Sequence, residues 1–216
     1  ASKLSQMPKW DEIARLAAGV GGVSAATLVY ARWLQVSNAT TVALTRAPID
    51  DAAKLECVSY APFRNDQKPH DPTLIVSPAQ IAEDLVELAK VSNCIRTYSI
   101  DNGLDKVPEL ASRVGLKVLL GVWIGRDRAK NAELVDIAVS LVKDYPGTVA
   151  AIIVGSEVLL RGEMTVNDLR QIIRSVKPRV NVPVTYADVW EFWMRYREVG
   201  ADVDFVTAHF LPYWED

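Results

Sequence analysis

At 216 residues and 50% hydrophobic content, the chain has apolar material for one sizeable packed domain and is not a disordered one. A formal charge of -3, from 24 Lys and Arg against 27 Asp and Glu, supplies no basic field for a phosphate backbone and argues against nucleic acid as a partner. Two histidines, two cysteines and no HExxH or paired-Cys spacing argue against zinc, so the chemistry expected here uses no metal and no cofactor.

The first expected element is a helix within residues 1–36. Between Arg15 and Arg32 the chain is uncharged and rich in small residues, and Lys9 and Trp10 ahead of it suit a lipid headgroup region. A spanning helix needs about 20 apolar residues, which this run reaches only if Trp33, Leu34 and a snorkelling Arg32 extend it. A membrane anchor and a small-residue helix packed on another protein or on the domain itself have equal weight. Gly19, Gly21 and Gly22 do not form a dinucleotide loop, because no strand precedes them and Ser24 occupies the last glycine position. Residues 37–54, with Pro48 and Asp50-Asp51, read as a linker, and Asn38-Ala39-Thr40 fits a glycosylation sequon.

From Leu55 onward, short apolar runs alternate with amphipathic patterns, the signature of βαβ units and a parallel sheet. Ser77-Pro78 caps a helix with Ile81, Leu85 and Leu88 on one face. A strand Cys94 to Tyr98 follows, then an Asn102-Gly103 turn into a helix that Gly115 stops. Val118 to Ile124 reads as strand three. The next helix carries Leu134, Ile137, Ala138 and Leu141 and ends at Tyr145-Pro146-Gly147. Val149 to Val154 is strand four, Thr165 and Asp168 suggest a capping box, and strands Val182 to Tyr186 and Val203 to His209 complete the series. Cys57 and Cys94 begin neighbouring strands, where a disulfide is geometrically conceivable and buried thiols are the commoner outcome.

The strand ends carry the functional signal. Glu157 stands just past the apolar run ending at Val154, where a parallel α/β protein places a catalytic acid, although a Glu after a strand is also the ordinary solvated start of a loop. Repetition favours the first reading: Tyr60 and Arg64, Arg96 and Tyr98, Trp123, Tyr186 and Asp188, and His209 with Tyr213 and Trp214 all follow apolar runs. Functional groups after nearly every strand point to a TIM-type (β/α) barrel rather than a doubly wound sheet. Six βα units are visible in residues 55–216. An eight-stranded barrel needs two more, about 60 residues by the usual size of the fold.

Five motifs resemble glycoside hydrolase family 17, the β-1,3-glucanases and glucanosyltransferases, and its bacterial members in particular. They are Val58-Ser59-Tyr60-Ala61-Pro62-Phe63-Arg64, Ile95-Arg96-Thr97-Tyr98, Val154-Gly155-Ser156-Glu157-Val158, Val184-Thr185-Tyr186-Ala187-Asp188-Val189-Trp190 and Leu211-Pro212-Tyr213-Trp214-Glu215-Asp216. The resemblance implies that Glu157 is the general acid/base and that Tyr60, Arg96, Tyr98, Tyr186 and Tyr213 line glucan subsites. Asp188 and His209, at the ends of strands five and six, join the same binding face. Ser156 stands where the family has an Asn that contacts the sugar 2-hydroxyl. The family's nucleophilic Glu belongs to a Gly-Glu-x-Gly-Trp-Pro type motif on strand seven, which lies past Asp216. Two expectations follow. One is a retaining hydrolase or transglycosylase acting on β-1,3-glucan once its last strands are supplied; the other is an inactive barrel serving as a membrane-tethered accessory subunit of a complex. Some bacterial members carry an N-terminal anchor or signal segment, which implies attachment to a membrane facing the periplasm or cell exterior.

Overall fold

The computed structural model describes residues 54–69, 71 and 73–211. The expected anchor helix at 1–36, nearly all of the 37–54 linker with its sequon, and Tyr213 and Trp214 lie outside the described residues. Among the described residues no helix is long and apolar enough to cross a membrane.

Six strands build one sheet: β1 (Val58–Ser59), β2 (Cys94–Arg96), β3 (Lys117–Val122), β4 (Val149–Ser156), β5 (Val184–Val189) and β6 (Thr207–His209). Every neighbouring pair is parallel and the spatial order is the chain order. A doubly wound sheet reverses its order at a switch point, whereas a TIM-type barrel never does, so the sequential order decides between the two in favour of the barrel type. The crossovers carry α1 (Pro78–Val91), α2 (Val107–Val114), α3 (Arg128–Asp144), α4 (Val166–Val176) and the short α5 (Trp190–Arg195).

The helices begin and end where their sequences dictate. The Ser77 hydroxyl accepts from the Gln80 amide and Pro78 opens α1, while Asp127 accepts from two amides at the start of α3. At α4 the Thr165 hydroxyl accepts from the Asp168 amide, but the Asp168 carboxylate takes the Thr165 hydroxyl proton rather than the backbone N–H of a full capping box. Gly115 ends α2 with φ +76°, a left-handed cap.

Ile81 and Leu85 of α1, Leu134 of α3, and Leu169 and Ile173 of α4 are buried against Ile95, Val118, Leu120, Ile152 and Val154 of the sheet. Each such side chain contributes about 1.5–3 kcal/mol of transfer free energy. Every residue of β5 is buried, which is why its sequence reads as a continuous run rather than an alternation.

Several boundaries differ from expectation. β5 starts at Val184 and runs on to Val189. β6 starts at Thr207 rather than Val203, because Asp204 is engaged elsewhere: its amide donates to the Val184 carbonyl and its carboxylate accepts from the Val184 amide, both at 2.8 Å. The cysteines are also corrected. Cys57 and Cys94 form a disulfide, since the register pairing Val58 with Ile95 brings the two preceding residues side by side.

Candidate active site

The site is assembled at the carboxyl ends of β1 to β6, and the end of β4 determines its centre. Between β4 and β5 the register passes from Ile153 opposite Thr185 to Ser156 opposite Ala187, so three steps on one strand match two on the other. Such a bulge re-aims the side chains beyond it. Gly155, at φ +87°, makes the bend, and a Cβ there would lie 2.7 Å from Val158 Cγ2. Glu157 follows at φ +58°, a left-handed conformation that costs a non-glycine residue about 1–2 kcal/mol. Two backbone bonds hold it there: its amide donates to Ala187 at 2.7 Å, and its carbonyl accepts from the Arg161 amide at 2.8 Å.

The Glu157 carboxylate stands 2.7 Å from His209 Nδ1, and His209 Nε2 stands 3.0 Å from Arg96 Nη1. Arg96 also donates from Nη2 to the Ser156 hydroxyl at 3.0 Å, and its guanidinium carbon lies 4.2 Å from the Tyr98 ring centroid. β2, β4 and β6 thus converge on one network. Burial lowers the pKa of Arg96, while Tyr98 and Glu157 act to raise it. The guanidinium nevertheless remains a cation and offers donors only. β2 and β3 approach closely beside it because Gly121 has no side chain. A Cβ at that position would fall 2.1 Å from the Thr97 carbonyl oxygen, and the Gly121 amide donates to the Thr97 hydroxyl at 3.0 Å.

Tyr186 and Asp188 lie beneath the site surface rather than on it, both almost fully buried. The Tyr186 hydroxyl donates to the Asp188 carboxylate and accepts from the Leu159 amide at 3.0 Å, while Asp188 also accepts from the Val189 amide at 2.8 Å. Burial pushes the Tyr186 phenol well above its ordinary range, and the Asp188 charge adds to the effect. Burial also raises the Asp188 pKa, against the opposing hydrogen bonds from Tyr186 and the backbone. This pair supports the loop that carries Glu157.

Tyr60 is buried, and its hydroxyl turns into α1 to donate to Asp84 at 2.9 Å. Its ring, with Phe63, Tyr98, Asp101 and Trp123, lines a cleft of about 130 Å³ beside the network. Arg64 is exposed and pairs with Glu83 and Asp84. Of the sequence-derived site residues, Arg96, Ser156, Glu157 and His209 are brought into one hydrogen-bonded network, with Tyr98 stacked on it. Tyr60 lines the adjoining cleft, Tyr186 and Asp188 lie below, and Tyr213 is outside the described residues.

One residue of the site, Arg161, carries no sequence signal, and its partner Glu163 reads in the sequence as a solvated loop residue a turn beyond Glu157. Arg161 donates to the Ser156 and Ile124 carbonyls and to Glu163 Oε2 at 2.9 Å, with its guanidinium over the Trp123 ring. The Glu163 carboxyl is held below its usual range by that Arg161 bond, against a smaller effect of burial. Only the fold reveals that Arg161 returns to the end of β3.

Residues 57–216 match the family model described as BtgE/BtgC glycoside hydrolase domain. The chain is 33% identical over 147 residues to a glucan 1,3-beta-glucosidase of Schizosaccharomyces pombe, a match covering 61% of this chain and 45% of the yeast protein. It is 25% identical over 180 residues to the Saccharomyces cerevisiae glucan 1,3-beta-glucosidase, covering 76% of this chain and 57% of the relative. The chain therefore spans about half the length of the curated relatives it matches. Among solved structures, it shares the fold of a glycoside hydrolase family 17 beta-1,3-glucanosyltransferase from Rhizomucor miehei at a TM-score of 0.62 and 24% identity, over 74% of this chain and 59% of that one. An active-site mutant of the same enzyme, in complex with laminaritriose, matches at a TM-score of 0.61. On the family match over residues 57–216, the chain belongs to the BtgE/BtgC glycoside hydrolase domain family, a glycoside hydrolase family 17-like domain.

Proposed function

We propose that this domain acts on β-1,3-glucan by retaining hydrolysis or transglycosylation, with Glu157 as the general acid/base. The observation that carries the reading is the placement of Glu157. Its carboxyl is part-exposed at the end of β4, held in a strained backbone conformation beside a buried cation and an aromatic-walled cleft. Strain persists at a position only where the surroundings over-determine it, and it collects at functional sites. Tyr98 and Trp123 offer ring faces for the apolar faces of a sugar, and Asp101 offers a hydrogen-bond acceptor.

A retaining mechanism needs two carboxyls about 5–5.5 Å apart, one to protonate the leaving oxygen and one to form the glycosyl-enzyme. The acids nearest Glu157 in the chain and on β5 are committed: Asp188 to Tyr186 and the backbone, Glu163 to Arg161. The nucleophile in this reading is supplied from outside the described residues. The Cys57–Cys94 disulfide supports an oxidising compartment, in keeping with a domain facing the periplasm or cell exterior. Attachment through residues 1–36 belongs to the same proposal, and deleting them then moves the protein from the membrane pellet to the supernatant.

Titrating the 216-residue chain with laminaritriose tests the reading, with cellotriose as the linkage control. Laminaritriose binds preferentially, and Trp123→Ala weakens it by about tenfold, the loss expected for one ring contact. Equal or absent binding of the two sugars removes β-1,3-glucan as the ligand.

A further inference from the structure

We infer that Arg96 fixes His209 as a neutral imidazole with its proton on Nδ1, so that Glu157 Oε1 is kept as an acceptor and Oε2 is the oxygen that carries the acid proton. The role assigned to Oε2 rests on the reading of Glu157 as the acid; the state of His209 does not.

The argument is a count of donors. Arg96 Nη1 lies 3.0 Å from His209 Nε2, and a guanidinium has no acceptor to offer. Nε2 must therefore present its lone pair, because an N–H there would face another N–H. The single ring proton then sits on Nδ1, 2.7 Å from Glu157 Oε1, and donates to it. Arg96 has no freedom to swing away: it is 9% exposed, bonded to Ser156 and stacked on Tyr98. The contact between His209 and Glu157 is accordingly a hydrogen bond from a neutral ring to a carboxyl group rather than a pair of opposite charges.

The same count continues at the carboxyl. A proton on Oε1 would meet the Nδ1–H head on, so a protonated Glu157 carries its hydrogen on Oε2. His209 is a positioning residue here: it selects the working oxygen through its hydrogen bond to Oε1. The groups concerned come from three strand ends, with Arg96 from β2, Glu157 just past β4 and His209 from β6, and Asp188 of β5 adds its field at Glu157.

Long-range proton–nitrogen correlation on the nitrogen-15-labelled 216-residue chain at pH 7 reads the tautomer directly, and His70→Gln assigns the two histidines. His209 is expected to show a protonated Nδ1 and an unprotonated, lone-pair-bearing Nε2. Glu157→Gln retains that pattern, since its side-chain oxygen still accepts from Nδ1–H and Arg96 is unchanged. Arg96→Met loses it: Nδ1–H still donates to Glu157, Nε2 no longer faces a guanidinium and takes a proton, and His209 becomes an imidazolium paired with Glu157. An imidazolium or an Nε2–H ring in the unaltered chain, a tautomer switch in Glu157→Gln, or an unchanged pattern in Arg96→Met each overturns the inference. If Arg96→Met does not fold, the first two spectra decide. No sugar is present in these spectra, so failed glucan binding with the expected tautomer removes the proposed function alone, and the wrong tautomer with intact binding removes this inference alone.

Discussion

The Arg161 guanidinium carbon lies 4.1 Å from the centroid of the Trp123 ring, so a residue of the β4 loop forms the backing of an aromatic side chain from the loop after β3. Arg161 also donates to the carbonyls of Ser156 and Ile124, which ties both loops together directly beneath Glu157. Lysine carries the charge but not the planar fork that reaches several oxygens while stacking. Arg161→Lys is therefore expected to lower stability by about 1–3 kcal/mol in denaturant unfolding, the cost of leaving buried carbonyls without their donors. The same substitution should shift Trp123 fluorescence. Unfolding and emission indistinguishable from the parent would show that Arg161 does not hold the loop.

Glu157 occupies a strained backbone conformation that its proposed role as the acid would account for. At φ +58° glycine has no steric penalty, and Glu157→Gly relieves about 1 kcal/mol of backbone strain while the loss of the His209 hydrogen bond offsets part of it. The expected outcome is a variant at least as stable as the parent. A melting temperature that falls by several degrees would mean that the side chain is there for packing.

The disulfide closes a loop of 37 residues between β1 and β2. By loop-closure entropy this stabilises the fold by about 3–4 kcal/mol. Chemical denaturation of the Cys57→Ser, Cys94→Ser double variant should show a loss of that order, and the reduced parent should behave alike. A loss well under 1 kcal/mol would indicate that the loop is already ordered in the unfolded ensemble.

Asp202 gives the domain an acid-sensitive clamp. Its carboxylate is 7% exposed and receives Arg170 Nε at 2.5 Å and Arg174 Nε at 2.6 Å, joining α4 to the segment before β6. Burial alone raises its pKa, but the two guanidinium bonds outweigh burial and leave it below the usual carboxylate range. A depressed folded pKa means the unfolded chain binds the proton more readily. The contribution is thus fully present above the unfolded value near 4 and disappears as pH falls through the lower folded value. Asp202→Asn should cost about 2 kcal/mol at pH 7, discounted for the exposed Arg174, and should flatten the stability profile below about pH 4. An unchanged acid limb would assign acid sensitivity to other carboxylates, such as Asp204.

The elements whose signals are local were legible in advance. Ser77, Gly115 and Thr165 mark helix ends through short-range hydrogen bonds or backbone preference, and all three do so in the structure. The ends of β5 and β6 were not legible, because the Asp204 carboxylate and amide take up Val184 from 20 residues away. Helix α5, built on Trp190–Arg195, follows a strand with no capping side chain to announce it. The disulfide was left as the lesser alternative because the exact register of β1 against β2 decides it.

By itself the sequence determined the order of the strands and of the first four helices, the barrel type and the position of Glu157 at a strand end, since burial on both faces and helical periodicity are written into neighbouring residues. Tertiary structure alone decided which strand-end residues meet. Arg96 and His209 are 113 residues apart and Glu157 and His209 are 52 apart, and their contact depends on the parallel registers and the β4 bulge. It also separated the groups within the network from Tyr186 and Asp188 below it. The physical reason is that a side chain one residue past a bulge changes the face to which it belongs, and pairing across the sheet, rather than any local preference, sets where the bulge falls.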